Sequence, residues 1–151
     1  LLPFRDPLQH ANSLLNQHKR FCESQKNDVF IKKYMNWLGH NEFGLGYIPY
    51  SRIACEYNNP QVLDHWLEQW FLVHQKLLSD LENDRRNILL VNYEKLCENP
   101  EKIWQQITSQ LSINYNIPDF VLSKKEINES YSENILKKCQ ILFEKLLNKS
   151  V

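Results

Sequence analysis

The chain has 151 residues, 42% apolar and 24% charged, which is the size and balance of one globular domain spanning 1–151 with a core of its own. Eighteen Lys and Arg offset eighteen Asp and Glu, so the net charge is zero and the basic stripe of a nucleic-acid binder is absent. No apolar run approaches the roughly 18 residues that span a bilayer, so neither nucleic acid nor a membrane is an expected partner.

Leu1 to Phe4 is a short apolar run that reads as a buried strand. It is no signal peptide, because Arg5 and Asp6 bring charge before an apolar stretch can form. The one methionine is Met35, so the opening reads as cut from a longer chain. Asp6-Pro7 then starts a helix: Asp caps the free amides and Pro fits the first turn. Leu8, Ala11, Leu14 and Leu15 recur at helical spacing, which predicts a helix to about Phe21. A polar stretch, 23–28, separates it from a second helix with Phe30, Ile31, Tyr34, Trp37 and Leu38 on one face.

Residues 39–60 hold all three glycines, two prolines and several aromatics, and read as a loop region of the kind that carries function. From 61 to about 83 the pattern predicts the longest helix, with a broad stripe of Leu63, Trp66, Leu67, Trp70, Phe71, Val73, Leu77, Leu78 and Leu81. Three aromatics at that spacing are expected in a core. A charged turn over 83–87 leads to Ile88–Tyr93, a β-rich run expected as a buried parallel strand. Asn99-Pro100 caps a further helix with Ile103, Trp104, Ile107 and Leu111 on one face. A looser segment, 112–132, precedes a last helix that turns Ile135, Leu136, Leu142, Phe143, Leu146 and Leu147 inward.

Strands joined through helices imply an α/β fold with a parallel sheet, here helix-rich and, at two strands, incomplete. The missing strands are expected before Leu1. Cys22, Cys55, Cys97 and Cys139 lie 33 to 42 residues apart, too far for a zinc ligand pattern, and no metal is expected. Without a secretion signal they read as reduced thiols and the cytoplasm as the address.

The chemistry-bearing pattern is Leu2-Pro3-Phe4-Arg5-Asp6-Pro7 with Ser13 eight residues after Arg5. It sets an arginine at a strand end, beside a helix start, with a hydroxyl about two turns on. Ligands of open α/β sheets bind outside the C-terminal strand ends, helix starts favour anions, and the guanidinium fork matches phosphate oxygens. On residues alone the arginine is as readily tied to a neighbouring carboxylate.

Arg5-Asp6-Pro7 with Ser13 resembles the 3′-phosphate motif of the sulfotransferase family. There a strand-end Arg and a Ser eight positions later hold the donor PAPS (3′-phosphoadenylyl sulfate). Trp66 to Leu81, Ile88 to Tyr93 and the run Tyr93-Glu94-Lys95-Leu96-Cys97-Glu98-Asn99-Pro100 resemble a second, later part of that family. The likeness covers about 1–21 and 61–112, with 22–60 fitting loosely. It implies a P-loop-like sulfotransferase fold, PAPS as donor held by Arg5 and Ser13, Tyr93 near the adenine, and a small-molecule or glycan acceptor. The chain departs from the family in having no Gly-containing loop at the fold's start to hold the donor's 5′ end, and in placing Lys95 where Asp is usual.

His40 and Glu42, in the glycine-bearing loop, read either as acceptor-pocket residues or as solvated loop. His10 and His18 read as surface, and His65 and His74 lack metalloprotease spacing. Three functions compete: a sulfotransferase part that binds PAP, the desulfated donor; a non-catalytic helical interaction module that self-associates; and a nucleoside-phosphate kinase-like fragment that prefers ATP.

Overall fold

The computed structural model describes residues 1–50, 55–83, 88–113 and 116–151. In chain order the elements are β1 (Leu2–Phe4), α1 (Pro7–Asn27), α2 (Val29–Leu38), α3 (Leu63–Asn83), β2 (Leu90–Asn92), α4 (Tyr93–Glu98), α5 (Pro100–Leu111) and α6 (Glu133–Leu147). The class is α/β, helix-rich, with β1 and β2 paired parallel and Leu2, Pro3 and Phe4 opposite Leu90, Val91 and Asn92. Successive strand residues face opposite sides. Leu90 and Phe4 enter the main core, whereas Val91 joins a smaller cluster with Ile103 and Ile107 of α5.

That main core lies among α1, α3 and α6. Ala11, Leu15, Leu63, Trp66, Leu67, Cys139 and Leu146 are sealed from solvent there. The apolar stripes of α3 and α6 follow the predicted period, with Val73 the outward exception on α3. Cys22 and Cys139 are buried, while Cys55 and Cys97 are half-buried.

Four expectations need correcting. Helix α1 runs on past Phe21 to Asn27 because nothing from 8 to 27 breaks a helix, and Cys22 and Gln25 extend its buried face. Asp28 ends it and caps α2, accepting from the Phe30 amide at 2.7 Å. The aromatic face of α2 points to solvent, and Met35 is the buried residue of that helix. The second strand is Leu90–Asn92; Asn92 accepts from the Lys95 amide at 2.8 Å and so converts Tyr93 into the first residue of α4. His18 is 1% exposed and His10 is half-buried, because α1 is covered by α3, the 39–50 loop and the segment near 125. The charged turn expected at 83–87 lies, from residue 84 on, outside the described residues.

Candidate functional site at the strand ends

Parallel pairing brings the residues that follow both strands to one edge, where α/β sheets place ligands. Arg5 and Asp6 follow β1; Tyr93 and Glu94 follow β2. The Arg5 guanidinium lies 5.1 Å from the Tyr93 ring centre, a cation–π contact. Its Nη2 donates to the Ser123 carbonyl at 3.0 Å, and its Nε is 3.9 Å from Glu94 Oε1. That distance is beyond a hydrogen bond. Nε itself is buried with no hydrogen-bond partner.

Glu94 organises this edge. It accepts from the Asp6 amide at 3.1 Å and from Asn92 Nδ2 at 2.9 Å, which ties the start of α1 to the start of α4. Asp6 in turn caps α1, accepting from the Gln9 amide at 2.8 Å. The first-turn amide that an anion would use is therefore held by the chain's own carboxylate. An anion reaching this edge meets the guanidinium, not a bare helix start.

Residues 121–129 run across this edge as an irregular strap. The Tyr93 hydroxyl donates to the Val121 carbonyl at 2.7 Å and accepts from the Ser123 amide at 3.2 Å. Gln9 bonds Lys125 twice, Nε2 to the carbonyl at 3.0 Å and Oε1 from the amide at 2.9 Å. Asn12 Nδ2 reaches the Glu126 carbonyl at 3.4 Å, and Lys19 pairs with Glu129 at 2.6 Å. Beside the strap is a cavity of about 410 Å³ lined by Asp6, Gln9, Asn92, Glu94, Lys95 and Lys124, among others. Its charges are mixed, so it suits a ligand with both anionic and hydrogen-bonding groups.

Of the three residues expected to hold PAPS, Arg5 and Tyr93 come together. Ser13 sits four residues after Gln9 on α1, half-buried, and no hydrogen bond joins its hydroxyl to the group. The orphaned Arg5 Nε fits an anionic group; the carboxylates of Asp6 and Glu94 are what such a group must share the edge with. Glu94, Gln9 and the strap were missed from sequence. Asn92 before Tyr93-Glu94 carried a capping signal that would have found Glu94; the strap carried none.

His40 Nδ1 is 2.7 Å from Glu42 Oε1, and both side chains are exposed on the loop surface. A bond to its own backbone amide and then the His40 ring hold the Glu42 carboxyl below its usual range. Of the other four histidines His18, His65 and His74 are buried and His10 is half-buried, and in each case burial is the chief cause that holds the ring below the usual imidazole value. His18 Nδ1 accepts from the Gly44 amide at 3.2 Å, so the neutral ring carries its proton on Nε2, which faces Cys22 Sγ at 3.4 Å. His65 donates from Nδ1 to the Tyr57 carbonyl at 2.6 Å and pairs through Nε2 with the Tyr47 hydroxyl at 2.8 Å. His74 donates to the Trp70 carbonyl at 2.8 Å. Burial, then His74, then Arg5 push His10 down to about 4. Among the described residues no three His, Cys, Asp or Glu side chains gather as metal ligands, and no helix is long and apolar enough to cross a membrane.

No protein-family model, no curated protein and no solved structure matches this chain.

Proposed function

We propose that this chain supplies the 3′-phosphate half of a sulfotransferase donor site, in a P-loop-like fold whose 5′ loop is contributed by other residues. The whole enzyme moves a sulfuryl group from PAPS to a hydroxyl or amine of a small-molecule or glycan acceptor. One observation carries the reading: Arg5 and Tyr93 sit against each other at the C-terminal ends of a parallel strand pair, with Arg5 Nε buried and unpartnered. The phosphate takes the guanidinium fork and draws Arg5 off the Ser123 carbonyl, and the hydroxyl of Ser13 approaches from α1.

Titration calorimetry with PAP tests it. Arg5→Ala is expected to weaken PAP at least about tenfold, the worth of a charge-assisted bond, and Ser13→Ala a few fold. Circular dichroism of the variants checks that the fold is kept. Equal PAP affinity in wild type and Arg5→Ala, or a thermal shift with ATP and none with PAP, defeats the donor-site reading.

The second reading is a non-catalytic interaction module on the same scaffold. The exposed aromatic face of α2 favours it. It predicts no response to PAP at all.

A further inference from the structure

Helix α2 lies on α1 and turns Met35 inward, with Ile31 half-buried beside it. Its other flank is aromatic and open to solvent: Phe30 is 60% exposed, Tyr34 49% and Trp37 73%. The three rings already touch, Phe30 stacked on Tyr34 at 5.8 Å and edge-on to Trp37 at 6.5 Å. Val29 and Leu38 extend the apolar surface along the helix. The only ionised side chains on α2 are Lys32 and Lys33, both exposed. Neither the Tyr34 hydroxyl nor the Trp37 Nε1 has a hydrogen-bond partner among the described residues, so both polar tips are left to water.

We propose that α2 docks this protein on an anionic lipid surface, with Phe30, Tyr34 and Trp37 at the headgroup level and Lys32 and Lys33 among the phosphates and carboxylates. An aromatic flank with lysine as its only charge is the composition of an interfacial helix. Charge argues against a second copy of the chain as the occupant, since pairing α2 with itself sets lysines against lysines. Wet polar tips argue against a closed protein groove, where they would need partners, and for a headgroup layer, where Trp and Tyr keep theirs hydrated. The helix is also already formed. Asp28 caps its start and Gly39, at φ +70°, ends it, so docking does not have to meet the nucleation cost of a ten-residue helix. The docking face lies beyond the far end of α1 from Arg5, and the proposal stands whether or not PAP binds.

Co-sedimentation with vesicles tests it, using phosphatidylcholine with about 30% phosphatidylserine against phosphatidylcholine alone. The wild type is expected to partition at least about tenfold more onto the anionic vesicles at low salt, with the gain lost at high salt. Trp37 emission should shift to the blue on binding. Phe30→Ser with Trp37→Ser is expected to abolish binding, and Lys32→Glu with Lys33→Glu to lower it more than about tenfold. All four positions are exposed, so the variants keep the fold, which circular dichroism checks. Equal partition onto both vesicle types overturns the proposal, as does unchanged binding by either variant. Dimers in light scattering that Trp37→Ser dissolves, with no vesicle binding, give the face to a second copy instead.

Discussion

The two halves of α1 hold their neighbours by different means. Along its first half, Gln9 and Asn12 carry the 121–129 strap on hydrogen bonds that are exposed or half-buried. Along its second half, His18 and Gln25 hold the 39–50 loop by a buried bond and a half-buried one: Gly44 N–H to His18 Nδ1 at 3.2 Å and Leu45 N–H to Gln25 Oε1 at 2.7 Å. Stacked rings seal that second contact, Phe21 on Phe43 and Phe43 on Trp66. A hydrogen bond open to water exchanges at little net cost, whereas a buried donor left unmade costs about 1–3 kcal/mol. The loop end is thus part of the core, and the strap end is the more loosely held of the two.

The largest loss is expected from acid, which acts on both halves of α1 through His10 and His18 and on α3 through His65 and His74. The folded protein keeps His10, His18, His65 and His74 below the usual imidazole value, in each case chiefly by burial. In the unfolded chain each titrates near the usual 6.5. Between that value and the folded one, about 4 for His10, the unfolded state binds more protons. Unfolding free energy therefore rises with pH across this window and is lost as pH falls through it. His10 alone accounts for about 3 kcal/mol by pH 4, with the other three adding to it. Urea midpoints at pH 7.5 and 4.5 read the loss, and His10→Gln should flatten it. Equal midpoints at the two pH values would mean that these rings are not held neutral.

A single methyl group gives the next largest effect. Gly44 adopts φ +85°, and a Cβ there would sit 2.5 Å from Gln25 Oε1. Gly44→Ala must strain the backbone and push Gln25 off the Leu45 amide, for a loss of about 2–4 kcal/mol. Gly39 has a similar φ but open space around it, so Gly39→Ala costs only the backbone term, about 1 kcal/mol. If thermal melts show equal losses for the two variants, the clasp between Gly44 and Gln25 contributes nothing.

What the sequence disclosed divides along the same line. Helices α3 and α6 were legible because their stripes are long and apolar, and so were the two parallel strands whose ends carry Arg5 and Tyr93, whereas the contact between those two side chains was not expected from sequence. The inward turn of His10 and His18 was not legible. An imidazole counts as polar in any periodicity, and only the loop that covers α1 reveals that His18 has Gly44 to bond. The α2 face failed for the opposite reason: Phe30, Tyr34 and Trp37 have the residue types of a core, and no rule of spacing says that the body stops at Met35. The strap escaped altogether, since Gln9 and Asn12 bind its backbone carbonyls and amide, groups every residue has.

That dependence on backbone makes the strap end the finest test of the comparison. Gln9→Ala removes both bonds to Lys125 while leaving the Asp6 cap on the Gln9 amide intact. Because these bonds are exposed, global stability should fall by only about 0.5–1.5 kcal/mol. The local effect should be larger than that number suggests. Local opening is governed by the few contacts that hold a segment, and cutting two of them frees 121–129 without unfolding the core. Proteolysis under native conditions should then cut near Lys124 and Lys125 several times faster than in the wild type, with the 39–50 loop unaffected. A variant that melts as early as Gly44→Ala, or that is cut in both segments alike, would show one continuous structure where two different attachments are described.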